Sequence, residues 1–595
     1  MEIPSRVENR FGEARASGDG ITFQAGVNTG TININRECPP FDRENYVHVL
    51  IVVEFTERPR KTPFLKVAYG ATCDAANKEH VPSCLPGTRV EVLKEIQEWI
   101  DGGNPKKLYW LNGMAGTGKS TIAMTLARTY KGMTGKNVRP EKNVCLGATF
   151  CFSRGGGDLA SASRFAATVA IQLAEVSLQL RKLIENVLED NPRLDSLSVQ
   201  EQWDKLIIQP LSVFYQCTPT GSISLLFVID ALDECNNAED VNVLIRCLER
   251  VTQIGGANCR VFLTSRPDQP IKAGLGNCVS GSRESFVLHD IEKSIVDQDL
   301  NLYYRDQLSR IRMIMSSEND IFSESLIANL VERSHGLFIH AATVCRFVQN
   351  GGFLAVERLN LLAKSEKADN AEKELDKMYT TVLEYSFVSA SDGLCPEEAE
   401  KIHQLFQRIV GAIITISDAM NSESLALLLG EKRERIDTIL SVLNSVINVE
   451  ENNNELIRIL HPSFREYLLD AKRCTNNSYS ILADDTHGYI LTRCFDLLMS
   501  QLQRNPLRIT QPGAKARDAE IETINRYISI PLQYSSRYWW NHFQKSSDKW
   551  RNNVPLLEFL QDKYLYWLEC LAWIAQLGQA VEAMLKLNTI FVSHF

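Results

Sequence analysis

The segment LYWLNGMAGTGKSTIAMTLART at 108–129 limits what this chain can fold into more than any other segment does. A short apolar run ends in a loop with the pattern G-x-x-x-x-G-K-[ST], and apolar residues at helical spacing follow. Glycines let the backbone wrap around a phosphate without Cβ clashes, and the free N–H groups at a helix start attract anions. The segment therefore predicts a phosphate-binding loop between a buried strand and a helix.

Two side chains of this loop have specific expected roles. Lys119 should bridge the β- and γ-phosphates of a nucleotide, and the Ser120 hydroxyl should bind Mg²⁺. The other predicted nucleotide contacts are Gly113, Ala115, Gly116, Thr117, Gly118 and Thr121. The alternative is a glycine-rich strand–helix turn without a ligand, which the full match to the pattern disfavours.

Length and composition indicate what surrounds the loop. A chain of 595 residues should hold roughly three to five domains, because single cores stop growing near 250–300 residues. A net charge of −9 argues against a nucleic-acid partner. The 15 cysteines include no C-x-x-C pair, which predicts reduced thiols in a cytoplasmic protein. The most apolar run, at 46–55, is too short to span a membrane and is expected to be a buried strand or a segment without an assigned docking site.

A second apolar run, SLLFVIDALDEC at 224–235, predicts a central parallel strand that ends in acids. Asp230 lies at its carboxyl end, where ligands gather in open α/β sheets, and should hold Mg²⁺ through a water. Asp233 and Glu234 follow, and either could orient the water that attacks the γ-phosphate; Glu234 is preferred. The alternative is a polar loop or helix start whose acids suit the helix dipole.

Two further strands are predicted to end in Ser-Arg at the same edge. In RVFLTSRPD at 260–268, Pro267 stops the strand and leaves Arg266 where a guanidinium could sense the γ-phosphate. A surface salt bridge is its alternative. In GATFCFSRGGGD at 147–158, Arg154 is a second candidate for a nucleotide contact.

The order of these motifs resembles the NACHT branch of the signal-transduction ATPases (STAND proteins). The wording of CLPGTRVEVLKEIQEW, WLNGMAGTGKST, FCFSRGGGD and FLTSRP is similar to the large fungal, nephrocystin-like group of NACHT receptors, over about residues 66–580. This resemblance implies an α/β P-loop NTPase of the ASCE type, with a parallel sheet, followed by helical and winged-helix domains. It also implies ATP or ADP with Mg²⁺ as cofactors, although the motifs do not separate these from GTP.

The resemblance further implies a nucleotide-dependent switch, closed with ADP and open with ATP, that self-associates in fungal innate immunity, incompatibility or cell death. Two alternatives stay open: an AAA-type motor, and a scaffold that binds nucleotide without turnover. No LSGGQ-type stretch of a transporter ATPase and no N-K-x-D of a Ras-like GTPase is found.

Four further positions gain roles from the resemblance. Thr88 and Arg89 become candidate contacts on the base side, although the spacing of Thr88 and Glu91 also predicts a capping box. Phe338 stands where the Gly-Leu-Pro turn of related ATPases has its proline. The helix–turn–helix role of that turn is therefore expected here without the proline's contact to the base. His461 occupies the strand-to-helix corner at which the resembled family contacts the β-phosphate, and a hydrogen-bonded corner histidine without a ligand is its alternative.

The predicted organisation has six parts: a β-rich motif at 1–45, a linker at 46–84, the NACHT domain at 85–291, a helical domain at 292–390, a winged helix at 391–475 and a helical region at 476–595. The last part shows no repeats, whereas the resembled receptors usually carry them. GDGITFQAGVNTGTININ at 18–35 predicts two short strands around a turn at Asn28–Gly30. Its composition suits a stacking, amyloid-like motif, and the resemblance implies that such a motif templates an effector partner. A disordered or edge-pairing tail is the alternative.

Overall fold

The computed structural model describes strands within residues 15–32 and most of residues 65–593. Its gaps in the second range are 76–77, 79–80, 132–143, 218–222, 280, 282, 315–321, 392–394, 449–455 and 510–518. The chain divides into two compact units, Met1–Lys61 and Thr62–Phe595. The predicted strand at 46–55 lies outside the described residues.

The first unit contains three short antiparallel strands, β1 (Arg15–Ser17), β2 (Gly20–Ala25) and β3 (Asn28–Ile32). Ile21 pairs with Ile32, and Ala25 pairs with Asn28, so the chain reverses between Ala25 and Asn28. The predicted turn at Asn28–Gly30 is therefore wrong, because these residues belong to β3. The run of Thr29, Thr31 and Ile32 favours extended backbone and outweighs the turn propensity of Asn28 and Gly30.

The second unit is built on a five-stranded parallel sheet. Its strands are β4 (Leu108–Asn112), β5 (Val144–Cys151), β6 (Ser224–Asp230), β7 (Asn258–Ser265) and β8 (Arg283–Val287), in the order β5-β6-β7-β4-β8. Strand β7 thus lies between the strand of the phosphate loop and the acidic strand, which is the ASCE arrangement. The predicted fold class is confirmed.

Register brings the strand ends that carry the motifs to one edge. Asn112 pairs with Ser265, and Cys151 pairs with Asp230. Parallel strands end at the same edge, so the loops after β4, β5, β6 and β7 lie side by side.

The sheet is buried on both faces because its strands are nearly continuous apolar runs. Phe150, Phe227 and Val261 pack into the core on one face, whereas Leu226 and Phe262 pack into the core on the other. Burying one such side chain contributes about 1.5–3 kcal/mol. The helices that cover the sheet are α1 (Val90–Asp101), α2 (Lys119–Lys131), α3 (Phe165–Val176), α4 (Leu178–Asp190), α5 (Val199–Trp203), α6 (Gln209–Cys217), α7 (Ala238–Thr252) and α8 (Gln269–Gly276).

Helices dominate the rest of the unit. They are α9 (Lys293–Ile314), α10 (Glu324–Ser334), α11 (Phe338–Gln349), α12 (Ala355–Lys364), α13 (Ala371–Ser391), α14 (Pro396–Thr415), α15 (Ser422–Leu429), α16 (Arg433–Val442), α17 (Pro462–Leu469), α18 (Ala483–Gln501), α19 (Ile521–Tyr527), α20 (Ile530–Lys545), α21 (Asp548–Arg551), α22 (Leu556–Glu558), α23 (Tyr564–Trp573) and α24 (Leu577–Ser593). One apolar core runs through them, with Tyr304, Tyr379 and Trp539 fully buried. The three predicted helical domains therefore share a core, and their boundaries stay a prediction.

The elements from α14 to α17 follow the order predicted for a winged helix. After α16, β9 (Ile447–Asn448) pairs antiparallel with β10 (Arg458–Ile459), and α17 starts with Pro462. The predicted hairpin turn at 452–454 lies outside the described residues, and the winged helix stays a prediction. Among the described helices, none is long and apolar enough to cross a membrane.

Candidate functional site

The phosphate loop connects the end of β4 to the start of α2 at Lys119, as predicted. Gly118 has a φ of +94°, a conformation that L side chains rarely adopt, and a Cβ there would meet open space. Gly116 has a φ of +79°, and a Cβ there would overlap Ile339 at the start of α11. Gly118 therefore provides the backbone conformation that the loop needs, and Gly116 lets α11 approach the loop.

Lys119 folds back onto the loop that precedes it. Its Nζ donates to the carbonyl oxygens of Gly113 at 2.8 Å and Met114 at 2.9 Å. Burial lowers the pKa of Lys119, while the nearby Asp233 carboxylate opposes this effect. The ammonium group thus sits in the loop where a phosphate oxygen could replace a carbonyl as its partner.

Of the remaining predicted loop residues, Thr117 stabilises the loop, whereas Ser120 is exposed to solvent. The Thr117 hydroxyl donates to the Met114 carbonyl at 2.9 Å, which closes the tip of the loop. Ser120 is exposed in the first turn of α2, and Thr121 is half-buried beside it. The first turn of the helix therefore presents a hydroxyl to the open side of the cradle.

Asp230 ends β6 and is buried. Its Oδ1 accepts a hydrogen bond from the Thr264 hydroxyl of β7 at 2.5 Å. Thr264 also accepts the Ala231 N–H at 3.0 Å, and Ala231 adopts a left-handed φ of +54°. This turn directs the two following acids back toward the sheet edge.

Asp233 is held by Arg266 at the end of β7. The Arg266 N–H donates to Asp233 Oδ1 at 3.0 Å, and its Nε lies 3.4 Å from Asp233 Oδ2. Arg266 Nη1 also pairs with Glu466 of α17 at 2.6 Å. Burial opposes the charged form of Arg266, but Glu466 and Asp233 outweigh it and raise the pKa. The salt-bridge alternative for Arg266 is thus present, and its sensing of a γ-phosphate stays a prediction.

Glu234 follows Asp233 and bonds to the loop after β5. Its Oε2 accepts the Arg154 N–H at 2.9 Å, and burial raises the pKa of its carboxyl to about 7. The Arg154 guanidinium donates to the Asp233 carbonyl at 2.9 Å, so this side chain supports the acidic turn. A carboxyl with a pKa near neutrality suits a general base, which favours Glu234 over the ion-paired Asp233.

Arg89 connects the phosphate loop to α9 and α11, two of the helices that follow the sheet. Arg89 Nη2 donates to the Thr117 carbonyl at 3.0 Å, its N–H donates to Asp299 at 3.1 Å, and its guanidinium lies 4.8 Å from the centroid of the Phe338 ring. The predicted capping box at Thr88 is wrong. The Thr88 hydroxyl donates to the Leu85 carbonyl at 2.8 Å, because Arg89, at a φ of +56°, already forms the helix N-cap without a side-chain bond.

His461 is the N-cap of α17. Its Nδ1 accepts the Ser463 N–H at 3.2 Å, which places the proton of the neutral ring on Nε2. Burial lowers the pKa of His461 to about 3, and the charges of Arg266 and Lys119 add to this effect. The protonated imidazole that would give a charge-assisted phosphate contact is therefore not supported in this structure, whereas a neutral Nε2–H donor is.

Sequence reasoning missed four of the residues that complete the site. They are Ile339, Asp299, Glu466 and Thr264. Ile339 donates its N–H to the Gly116 carbonyl at 3.2 Å. Thr264 directly precedes the Ser-Arg motif and could have been found there. Ile339, Asp299 and Glu466 lie on helices without a local motif, and only tertiary packing brings them to the site.

The chemistry of these side chains fits a Mg²⁺-nucleotide. A glycine loop, a half-buried cation and a helix start suit phosphates, while the Ser120 hydroxyl and the Asp230 carboxylate are hard oxygen ligands of the kind that Mg²⁺ prefers. Bound Mg²⁺ would neutralise charge on the phosphates. With such a ligand, Lys119 would bind the phosphates, Asp230 would hold the ion and Glu234 would accept a proton from water.

Comparison with known proteins gives two matches in sequence. Residues 87–266 match the family described as Nephrocystin 3, N-terminal. Over 531 residues, the chain is 21% identical to the vegetative incompatibility protein HET-E-1 of Podospora anserina, covering 83% of this chain and 35% of that protein. The predicted resemblance to the nephrocystin-like group is confirmed. The chain spans about a third of the length of the curated relative that it matches.

Solved structures similar to this chain share little sequence with it. One is a signal-transduction ATPase with a tetratricopeptide repeat sensor from Pyrococcus horikoshii, at 11% identity, 84% coverage of this chain, 55% of that chain and a TM-score of 0.35. Another is Cdc6p from Pyrobaculum aerophilum, at 15% identity, 64% and 92% coverage and a TM-score of 0.29. At these TM-scores the alignments are too loose to support an inference about function.

Proposed function

We propose that this chain is a nucleotide-dependent signalling switch, closed with ADP and open with ATP, whose open form self-associates. The observation that supports this most is a set of three interactions that join two later helices, α11 and α17, to the nucleotide site. Ile339 of α11 bonds the loop, Glu466 of α17 bonds Arg266, and the charge of Lys119 acts on His461 at the start of α17. A nucleotide that enlarges or rearranges the site would alter all three contacts at once.

The relative's printed name, a vegetative incompatibility protein, makes a fungal incompatibility or immune response the biological setting that we propose. The effector partner would then be engaged through the N-terminal unit, which carries the three antiparallel strands. We expect the chain to act in the cytoplasm, with ATP and ADP as its nucleotides and GTP as the competitor to test.

Turnover separates this proposal from a motor and from a scaffold. Purified protein would be analysed for bound nucleotide and then assayed in a single turnover. A switch retains ADP and hydrolyses slowly, a motor turns over at about 1 s⁻¹ or faster without an activator, and a scaffold does not turn over. Mass by light scattering, with ADP and with a non-hydrolysable ATP analogue, tests the output. Equal mass in both states would contradict self-association of the open form.

A further inference from the structure

Two of the three glycines after β5, Gly155 and Gly157, lie against the turn between α14 and α15. Gly157 has a φ of +57°, and a Cβ there would overlap the Asp418 carboxylate. At Gly155, a Cβ would lie 3.4 Å from the Ile416 carbonyl oxygen. Residues 155–157, the glycine loop, therefore lie against residues 416–418, which we call the docking turn, and a larger residue at position 157 would displace the Asp418 carboxylate.

Helix α20 holds the docking turn from its other side. Asp418 Oδ2 pairs with Arg537 Nη1 at 2.5 Å, and the Ser417 N–H donates to the Tyr534 hydroxyl at 3.1 Å. Arg537 also donates to the Tyr538 hydroxyl at 2.6 Å. The Asp418 and Arg537 side chains are 27% and 18% exposed, so solvent screens their ion pair only in part.

The glycine loop is continuous with the residues that hold Glu234. The Arg154 N–H, next to Gly155, donates to Glu234, and the Arg154 guanidinium donates to the Asp233 carbonyl. Within the loop, the Gly156 N–H donates to the Ser153 carbonyl at 3.0 Å. A shift of the glycines would therefore move the N–H that binds the Glu234 carboxylate.

We propose that Asp418 and Arg537 are positioning residues that restrain Glu234: by holding the docking turn on the glycine loop, they keep this carboxylate bonded to the Arg154 N–H and away from water. The inference rests on the proposed nucleotide hydrolysis, and it adds the C-terminal helix α20 to its control. Movement of α20 would release the docking turn, free the glycine loop and let Glu234 meet the attacking water.

The test compares two glycine substitutions. Gly157→Ala introduces a methyl group into the Asp418 carboxylate, whereas Gly256→Ala introduces one at a φ of +76° with nothing within 4 Å. Both carry the strain of a left-handed alanine, and only the first displaces Asp418, the side chain that joins the docking turn to α20. We expect Gly157→Ala to raise the single-turnover rate of ATP hydrolysis about threefold or more, with less than about a twofold change in ATP affinity. Gly256→Ala should match the wild type in both.

Hydrogen exchange of the nucleotide-free protein provides a readout that does not depend on hydrolysis. Exchange at the amides of residues 153–159 and at Ser417 should rise in Gly157→Ala and in Arg537→Gln, and return toward wild-type values in Arg537→Lys. Unchanged exchange in both variants would overturn the proposal. So would faster exchange without a rise in the single-turnover rate, because the glycine loop would then move without affecting Glu234. A wild-type protein that binds no nucleotide would refute the proposed function instead.

Discussion

Arg266 Nη1 and Glu466 Oε1 lie 2.6 Å apart and join the end of β7 to α17. The same guanidinium lies 3.4 Å from Asp233. One side chain therefore bonds both an acid of the nucleotide site and an acid of the later helices. It cannot turn toward a γ-phosphate and keep both partners.

The first prediction follows from this ion pair. Glu466→Gln should weaken the closed form by about 1 kcal/mol, because the pair is partly exposed and its charge attraction is lost. Faster ADP release, followed with a fluorescent analogue, is the expected result. Glu434→Gln, on an exposed turn of α16, is the control. Equal release from both variants would show that this ion pair does not hold the site closed.

The second prediction concerns affinity. Lys119→Ala removes the cation of the phosphate loop and should weaken nucleotide binding more than tenfold, which is about 1.4 kcal/mol. Calorimetry measures this change, and Lys94→Ala, at an exposed position of α1, is the control. Unchanged affinity of Lys119→Ala would remove the assignment of the phosphate loop.

The third prediction separates the roles of the acids. Glu234→Gln should keep Mg-nucleotide binding and slow hydrolysis, because only the proton acceptor is lost. Asp230→Asn should instead reduce Mg²⁺-dependent binding. Asp233→Asn should leave Mg²⁺-dependent binding intact and loosen Arg266, with which it is paired. If Asp233→Asn stops single-turnover hydrolysis and Glu234→Gln does not, the assignment of the base is reversed.

The fourth prediction concerns His461. His461→Ala should speed ADP release, since the Nε2–H donor is lost, and should also cost about 1 kcal/mol of stability, since α17 loses its N-cap. His461→Asn keeps an N-cap acceptor but lacks the ring. It should therefore release ADP as fast as His461→Ala while unfolding closer to the wild type. Wild-type ADP release from both variants would leave His461 with a capping role alone.

The fifth prediction is a pH dependence of stability. Burial lowers the pKa of both His340 and His461 to about 3. Since these rings are neutral in the folded chain and charged when unfolded below about pH 6.5, unfolding takes up protons there and stability falls as the pH falls from 6.5 toward 3. Each ring contributes up to about 1.4 kcal/mol per pH unit. His340→Gln should therefore lose less Tm between pH 7 and pH 5 than the wild type, and an equal loss would contradict the lowered pKa.

Much of the nucleotide site could be predicted from local sequence. The loop at 113–120, the acids after β6 and the arginine after β7 each occupy a short motif, and the structure brings all three to one sheet edge. Local reasoning failed where a competing contact was available nearby. Thr88 has the spacing of a capping residue, yet its hydroxyl bonds to Leu85, three residues earlier.

By itself, the sequence determined the parallel sheet, the phosphate loop and the identity of the acids, because strand runs and glycine turns are encoded within a few residues. The tertiary structure alone decided that Asp230 is buried, that Asp233 pairs with Arg266 and that α17 lies against this pair. Arg89 with Asp299, Arg266 with Glu466 and Asp418 with Arg537 are 210, 200 and 119 residues apart. No local pattern marks such pairs, because their partners meet only after the apolar cores have packed, and burial then sets the charge states of Glu234 and His461.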